Sequence, residues 1–250
     1  MVCYICWAFG RLAQLVEHPL DVGRVRGSSP LSPTKFCFAP LLMEEQIQSI
    51  IQSIERKAAS GTWRFSDELG TDPNDPEDTI ASWHLDSNAA RFLYDLVVRI
   101  RPQDILELGT GVGYSALWLA AAATTYGGHI DTVDYNDKKI LVAKKHMNDA
   151  GLDAVVTINH QRIVPFIQNA TTQYDLVFMD ADKHHYQEYL DTLFPKVADG
   201  CLFVIDNAHN FKDRMVDFFD ACKKHNLHTK ELSIGNGLYI ASKKPVDFIG

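Results

Sequence analysis

The chain has 250 residues, 46% hydrophobic and 22% charged, with 24 Lys+Arg against 32 Asp+Glu, a net charge of −8 and a pI near 5.6. That is enough apolar material for one large core or two small ones. The acidic balance disfavours tight non-specific nucleic-acid binding, which depends on Lys and Arg at the phosphates, and no apolar run reaches the roughly 18–20 residues that a membrane span needs.

Residues 1–42 differ in kind from the rest. They hold four of the ten prolines, three of the five cysteines (Cys3, Cys6 and Cys37) and little periodic pattern. Cys3 and Cys6 form a C-x-x-C with no second pair to complete a zinc site. Cys201 opens an apolar run and Cys222 lies in a helical stretch, so both read as core thiols. An odd set without a framework points to a reducing compartment, here the cytoplasm. Ala13-Gln14-Leu15-Val16-Glu17 can be encoded by codons that match the D-arm of a tRNA gene, and Gly27-Ser28-Ser29-Pro30 by codons that match the T-arm. The two lie at about the separation of those arms. The segment therefore reads as a non-native, disordered leader, produced by read-through of an upstream tRNA gene, with Met43 as the natural start. A signal peptide needs a basic stretch before its apolar run, and no charge precedes Arg11.

One domain is expected over residues 43–250. In "MEEQIQSIIQSIERKAASG", Ile47, Ile50, Ile51 and Ile54 share one helical face and Gly61 closes the helix. "LGTDPNDPEDTIAS" is acidic, proline-bearing and aperiodic, the pattern of a loop or lid. A second amphipathic helix is predicted near residues 88–100. From Asp104 onward, five strand-length runs ("DILELG", "HIDTVD", "VVTINH", "DLVFMD" and "CLFVID") alternate with helical stretches predicted at 114–123, 138–150, 163–170 and 186–197. Alternation of this kind predicts a parallel sheet covered on both faces. "HTKELS" and "GLYIAS", separated by Ile234-Gly235-Asn236, predict a hairpin at the sheet edge. The expected fold is α/β, a Rossmann-like, doubly wound, mostly parallel seven-stranded sheet with an antiparallel edge hairpin, preceded by N-terminal helices.

Open α/β sheets bind ligands at the carboxyl ends of their strands, so those ends hold the candidate site. The first strand runs through Glu107-Leu108-Gly109-Thr110-Gly111-Val112-Gly113 into a helix beginning Tyr114-Ser115. Glycines there let the backbone turn tightly and approach a ligand. A strand ending in Asp134 places a carboxylate where it can accept bonds from both hydroxyls of a ribose. The fourth strand ends in Asp180 and Lys183, the fifth in Asp206-Asn207. If those strands are neighbours, two carboxylates and an amide oxygen form a hard-oxygen set suited to Mg²⁺, Mn²⁺ or Ca²⁺. Asp182 reads as a cap for the next helix. His84, His184 and His185 are assigned solvated or packing roles, and His209 an exposed loop position in preference to an acceptor pocket.

"ILELGTGVGYSALWLA", "VDYN", "DLVFMDADKHHYQEYL" and "VIDNAHN" together resemble the cation-dependent O-methyltransferases that use S-adenosylmethionine, of the caffeoyl-CoA and catechol O-methyltransferase type. The resemblance spans roughly residues 46–244, and D-x-x-K followed by a strand ending in D-N is its most specific part. It implies the class I methyltransferase fold and an S-adenosylmethionine-dependent O-methyltransferase acting on a catechol, phenolic or acyl-CoA-linked small molecule. It further implies that Glu107, Gly109, Thr110, Gly111, Tyr114 and Ser115 hold the methionine side of the cofactor. Asp134 would take the ribose and Gln161 and Arg162 the adenine. Asp180, Asp206 and Asn207 would bind a divalent cation, most simply Mg²⁺, with Asp180 also touching the cofactor. Lys183 would be the general base beside a catalytic Asp180. A homodimer with no membrane association is implied. The chain departs from the family at "NHQRI", where a glycine and a small residue are usual, and at Ala208-His209-Asn210-Phe211 after the D-N pair. Two alternatives stay open: methylation of a hydroxylated uridine in tRNA, and a non-catalytic nucleotide-binding protein.

Overall fold

A computed structural model describes residues 45–81 and 84–246. The predicted leader, its C-x-x-C and Met43 lie outside the described residues. Helix α1 (Glu45–Ser60) buries Ile47, Ile51 and Ile54, the face that the isoleucine spacing predicts. A short helix α2 (Phe65–Leu69) ends on Gly70 in the left-handed conformation. The acidic segment that follows is a loop, as its prolines require, and it is tied down. The buried Asp78 accepts hydrogen bonds from the Ser66 backbone (2.6 Å) and hydroxyl (2.7 Å), and Asp75 pairs with Lys138 at 2.7 Å. Helix α3 (Ser87–Ile100) starts on Asp86, whose carboxylate accepts from the Asn88 and Ala89 amides, the usual N-cap arrangement.

The remaining elements alternate: β1 (Asp104–Leu108), α4 (Tyr114–Thr124), β2 (His129–Asp134), α5 (Asp137–Asp149), β3 (Val156–His160), α6 (Ile163–Asn169), β4 (Leu176–Met179), α7 (Tyr186–Leu193), β5 (Leu202–Ile205), α8 (Val216–Lys224), β6 (His228–Leu232) and β7 (Leu238–Ser242). One seven-stranded sheet results, ordered β3-β2-β1-β4-β5-β7-β6. β1 to β5 run parallel, and β7 is antiparallel to both β5 and β6. The seven-stranded, doubly wound sheet with its edge hairpin is therefore as expected. α7 stops at Leu193, short of the predicted 197, because Pro195 has no N–H to continue the ladder. α8 fills the interval after β5, where only the Cys222 region reads as helical in the sequence.

Burial explains the order. β4 (Leu-Val-Phe-Met) and β5 (Leu-Phe-Val-Ile) are buried at every position and occupy the centre, where both faces are covered. β6, with His228, Thr229 and Glu231 exposed, lies at the rim, where polar side chains discourage further pairing. On one face α4 is buried from Tyr114 to Ala123 and is covered in turn by α1 and α3, so it is apolar all round. On the other face Phe166, Tyr186, Leu190, Leu193 and Phe218 of α6, α7 and α8 pack on Leu106, Val177 and Phe203. Each such side chain contributes about 1.5–3 kcal/mol when fully buried. Among the described residues no helix is long and apolar enough to cross a membrane.

Candidate active site

The sheet register assembles the site. Val133, Leu108, Met179 and Ile205 are partners across β2, β1, β4 and β5. The next residues, Asp134, Gly109, Asp180 and Asp206, therefore stand side by side along the carboxyl edge, at the roughly 4.8 Å spacing of neighbouring strands. β1 has β2 on one side and β4 on the other, so this edge includes the point where the strand order reverses, the place where such sheets open a crevice. A cavity of about 640 Å³ lies over it, lined by Gly109, Thr110, Gly111, Asp134, Asp180 and Lys183 among others. That volume is in the range of a cofactor site.

On the β1–β2 side the loop is held by backbone. Gly109 and Thr110 donate to the Val133 carbonyl at 3.0 and 3.3 Å, and the Thr110 and Thr132 hydroxyls meet at 2.7 Å. Gly109 has φ +103°, and a Cβ there would sit 2.2 Å from the Asp180 carbonyl oxygen, so only glycine fits. Gly111 is different: its φ is +52°, and a Cβ would meet nothing within 4 Å, because that side faces the cavity. The Asp134 carboxylate accepts from Gly111 N (2.8 Å) and Asn136 N (3.0 Å). It thus braces the loop and still has lone pairs to offer. No side chain caps α4, whose first residues Tyr114 and Ser115 line the cavity. The Tyr114 hydroxyl donates to Glu55 of α1 at 2.6 Å, fixing the helical extension to the site.

On the β4–β5 side the site is built of charge. Lys183 Nζ lies 2.7 Å from Asp180 Oδ1, with both side chains largely buried. The same ammonium lies 5.5 Å from the Tyr186 ring centroid and 5.8 Å from that of Phe211. Asp206 is 1% exposed, and its Oδ1 has no hydrogen-bond partner. Burial, and secondarily the charge of Asp180, push its carboxyl up to about 7. Asn207 adopts a left-handed backbone (φ +63°) and its amide donates to Asp206 Oδ2. Tyr186 is fully buried, and burial first, then the Asp180 charge, hold its phenol well above the usual range. It stays protonated, and its hydroxyl oxygen accepts from the Ala181 N–H at 3.0 Å. Asp182 caps the 3₁₀ turn Lys183–His185 by accepting from His184 N, the capping role assigned to it.

Glu107 lies beneath the glycine loop. It is fully buried, accepts from the Thr132 hydroxyl at 2.5 Å, and leaves Oε1 unpartnered. Burial pushes it up to about 7; the nearby Ser115 and Thr132 hydroxyls act against this, and the charges of Asp180 and Asp134 add to it.

The structure thus brings Gly109, Thr110, Gly111, Tyr114, Ser115, Asp134, Arg162, Asp180, Lys183 and Asn207 to one cavity. Asp206 stands at the same edge, and Glu107 supports it from below. Gln161 does not join them. Its side chain is exposed and off the cavity lining, while its backbone N–H continues the β2–β3 ladder to the Asp134 carbonyl at 3.0 Å. Arg162 points its guanidinium at the exposed Tyr135 ring, 5.5 Å away. His209 is tied to Glu231 at 2.9 Å and packs against Gly237, off the cavity lining, which fits the loop role expected of it.

Sequence reasoning missed several lining residues. His84 is one: it meets Tyr114 edge-on at 4.9 Å, and its Nδ1 is buried without a partner. Tyr135, Phe211 and Arg214 are others. For Tyr135 the position directly after the strand-end Asp134 is a usable signal, whereas His84 and Arg214 reach the site only through tertiary packing.

A glycine-turned strand–helix loop beside a strand-end carboxylate, with a charged set one strand further on, is the arrangement of a Rossmann-like sheet at its ligand-binding edge. The chain belongs to the O-methyltransferase family, whose model matches residues 75–234. A catechol O-methyltransferase of Niastella koreensis is 34% identical over 125 residues, 48% of this chain and 56% of that protein. Caffeoyl-CoA O-methyltransferase 1 of Nicotiana tabacum is 28% identical over 135 residues, covering 50% and 56% of the two. The chain thus spans about half the length of the curated relatives it matches. The crystal structure of a Bacillus cereus O-methyltransferase in complex with SAH superposes with a TM-score of 0.61 at 18% identity, covering 80% of this chain and 91% of that one. This likeness confirms the class I methyltransferase fold.

Proposed function

We propose that this protein is an S-adenosylmethionine-dependent, divalent-cation-dependent O-methyltransferase for a hydroxylated small molecule of the catechol, phenolic or acyl-CoA-linked kind. The observation that carries the reading is Asp206, a buried carboxylate with an unsatisfied oxygen beside Asp180 and Asn207, in line with the glycine loop. A buried oxygen that protein groups leave unpaired fits a cation. The donor set, two carboxylates and an amide oxygen, fits Mg²⁺ better than zinc, which favours nitrogen and sulfur ligands.

Asp180, Asp206 and Asn207 would hold the ion, which when bound lowers the pKa of a coordinated acceptor hydroxyl and orients it. S-adenosylmethionine, when bound, would supply a methyl group on sulfonium sulfur, with the thioether as leaving group. Asp134 offers its carboxylate to the ribose, and the Gly111 side of the loop leaves room for the methionine portion. Lys183, whose Nζ lies 2.7 Å from Asp180 Oδ1, would be the group that takes the acceptor proton. Phe211 lines this corner, and the buried Tyr186 ring packs beneath Lys183. Much of the acceleration would come from holding oxygen and methyl in near-attack geometry. A homodimer working in the cytoplasm completes the reading.

The test is transfer from labelled S-adenosylmethionine to a catechol panel and to unmodified total tRNA, with and without EDTA. Methylation of a catechol that EDTA abolishes and Mg²⁺ restores is expected. Full activity in EDTA overturns the cation role, label in tRNA alone overturns the small-molecule acceptor, and label in neither indicates a nucleotide-binding protein.

A further inference from the structure

Arg214, on the cavity wall, has no role in the reading above. Phe211 lies on the loop after Asp206-Asn207, and its ring has a cation at each of two contacts. Lys183 Nζ stands 5.8 Å from the centroid and the Arg214 guanidinium 5.2 Å from it. The two cations differ in their surroundings. Lys183 is largely buried and paired with Asp180. Arg214 is exposed at the cavity wall and forms no ion pair among the described residues; its backbone N–H donates to the Phe211 carbonyl at 2.9 Å. The 3₁₀ turn Lys212–Arg214 sets this geometry by bringing residue 214 back over residue 211.

We propose that Arg214 is a specificity-determining residue that pairs with an anionic substituent of the acceptor, so that the substrate class is a hydroxylated aromatic carboxylate. The inference rests on the O-methyltransferase reading, since it takes the Asp180–Lys183 corner as the place of the reacting hydroxyl. An aromatic acceptor with its hydroxyl there has Phe211 as the neighbouring apolar surface, and ring on ring is a favourable contact. A substituent of that acceptor ring is then within reach of Arg214, whose guanidinium lies 5.2 Å from the Phe211 centroid. A guanidinium matches a carboxylate with two parallel N–H donors, and its stacking on Phe211 pre-orients that fork. A neutral catechol would leave Arg214 unpaired and gain nothing from it.

The experiment compares 3,4-dihydroxybenzoate with its neutral amide and with its coenzyme A thioester, using the full chain and Arg214→Gln and Arg214→Lys. Transfer is measured with S-adenosylmethionine and Mg²⁺. Acceptor binding is measured separately by calorimetry with Mg²⁺ and S-adenosylhomocysteine, which has no methyl to give. The wild type should favour the acid over the amide by about tenfold in kcat/KM and in affinity, the scale of a hydrogen bond to a charged group. Arg214→Gln should bring that ratio towards one, mainly through KM, and Arg214→Lys should restore part of it. An acid-to-amide ratio equal in wild type and Arg214→Gln overturns the proposal. So does an Arg214 effect seen only with the thioester, which would assign the anion to a nucleotide phosphate. Arg214-dependent binding of the acid without transfer to any acceptor would instead overturn the methyltransferase reading and leave the anion subsite standing.

Discussion

The two halves of the carboxyl edge solve different problems. On the β1–β2 side, backbone and short side chains satisfy one another: Asp134 braces Gly111 and Asn136, Thr110 meets Thr132, and Gly109 closes against the Asp180 carbonyl. On the β4–β5 side, like charges are left adjacent, with Asp206 buried beside Asp180 and one of its oxygens unpaired. The first is a finished mould, its polar groups paired within the protein. The second is electrostatically incomplete and is relieved by whatever positive group it takes up. Glu107 lies under both and feels the charge of each. A site that must grip a cofactor and also do acid–base chemistry benefits from this division, because preorganised geometry and perturbed ionisation make opposite demands on burial.

The comparison breaks most visibly on the charged side. Asp180→Ala and Lys183→Ala should each lower transfer by about 10²–10⁴-fold, while binding of S-adenosylhomocysteine, followed by calorimetry, partly survives. Loss of both together would mean the two sides are one unit. On the mould side the effect should appear in stability. Gly109→Ala drives a Cβ into backbone at positive φ and should cost at least about 2 kcal/mol in urea unfolding. Gly111→Ala, whose Cβ has open space, should cost less than that and act chiefly on cofactor affinity. Equal effects of the two substitutions on stability would contradict the assignment of open space to Gly111.

Glu107 sharpens the boundary between the halves. Its folded carboxyl is raised from near 4.5 to about 7. Between those values the native state binds more protons than the unfolded chain, so this group's contribution is full below pH 4.5 and is lost as pH rises through 7. Glu107→Gln removes that slope. Wild-type stability relative to the variant should therefore fall by up to ~3 kcal/mol from pH 4.5 to 8, and a gap independent of pH would show that Glu107 titrates normally. The smallest effect is expected at His209, whose alanine variant should change kcat/KM less than about twofold, since its contacts to Glu231 and Gly237 lie off the cavity lining.

The elements were legible because their signals are local. The all-apolar "LVFM" and "LFVI" runs are centre strands wherever they fold, and a carboxylate after such a run marks a strand end. Gly109, Gly111, Asp134, Asp180 and Asp206 could be listed from that alone. Their alignment could not be read, because it depends on the Val133–Leu108–Met179–Ile205 rung, which joins residues far apart in the chain. Gln161 shows the limit: it follows a strand as Asp134 ends one, yet the ladder to the Asp134 carbonyl turns its side chain out of the cavity.

By itself, then, the sequence determined the fold class, the chemistry of each strand end and the glycines the loop requires, since periodicity, residue size and charge are properties of a short stretch. Only the tertiary structure decided that Asp206 is buried unpaired, that Glu107 lies beneath the site, and that His84, Phe211 and Arg214 complete its wall. Burial and pairing are set by which distant surfaces meet, and a carboxylate or guanidinium takes its role from what it finds there.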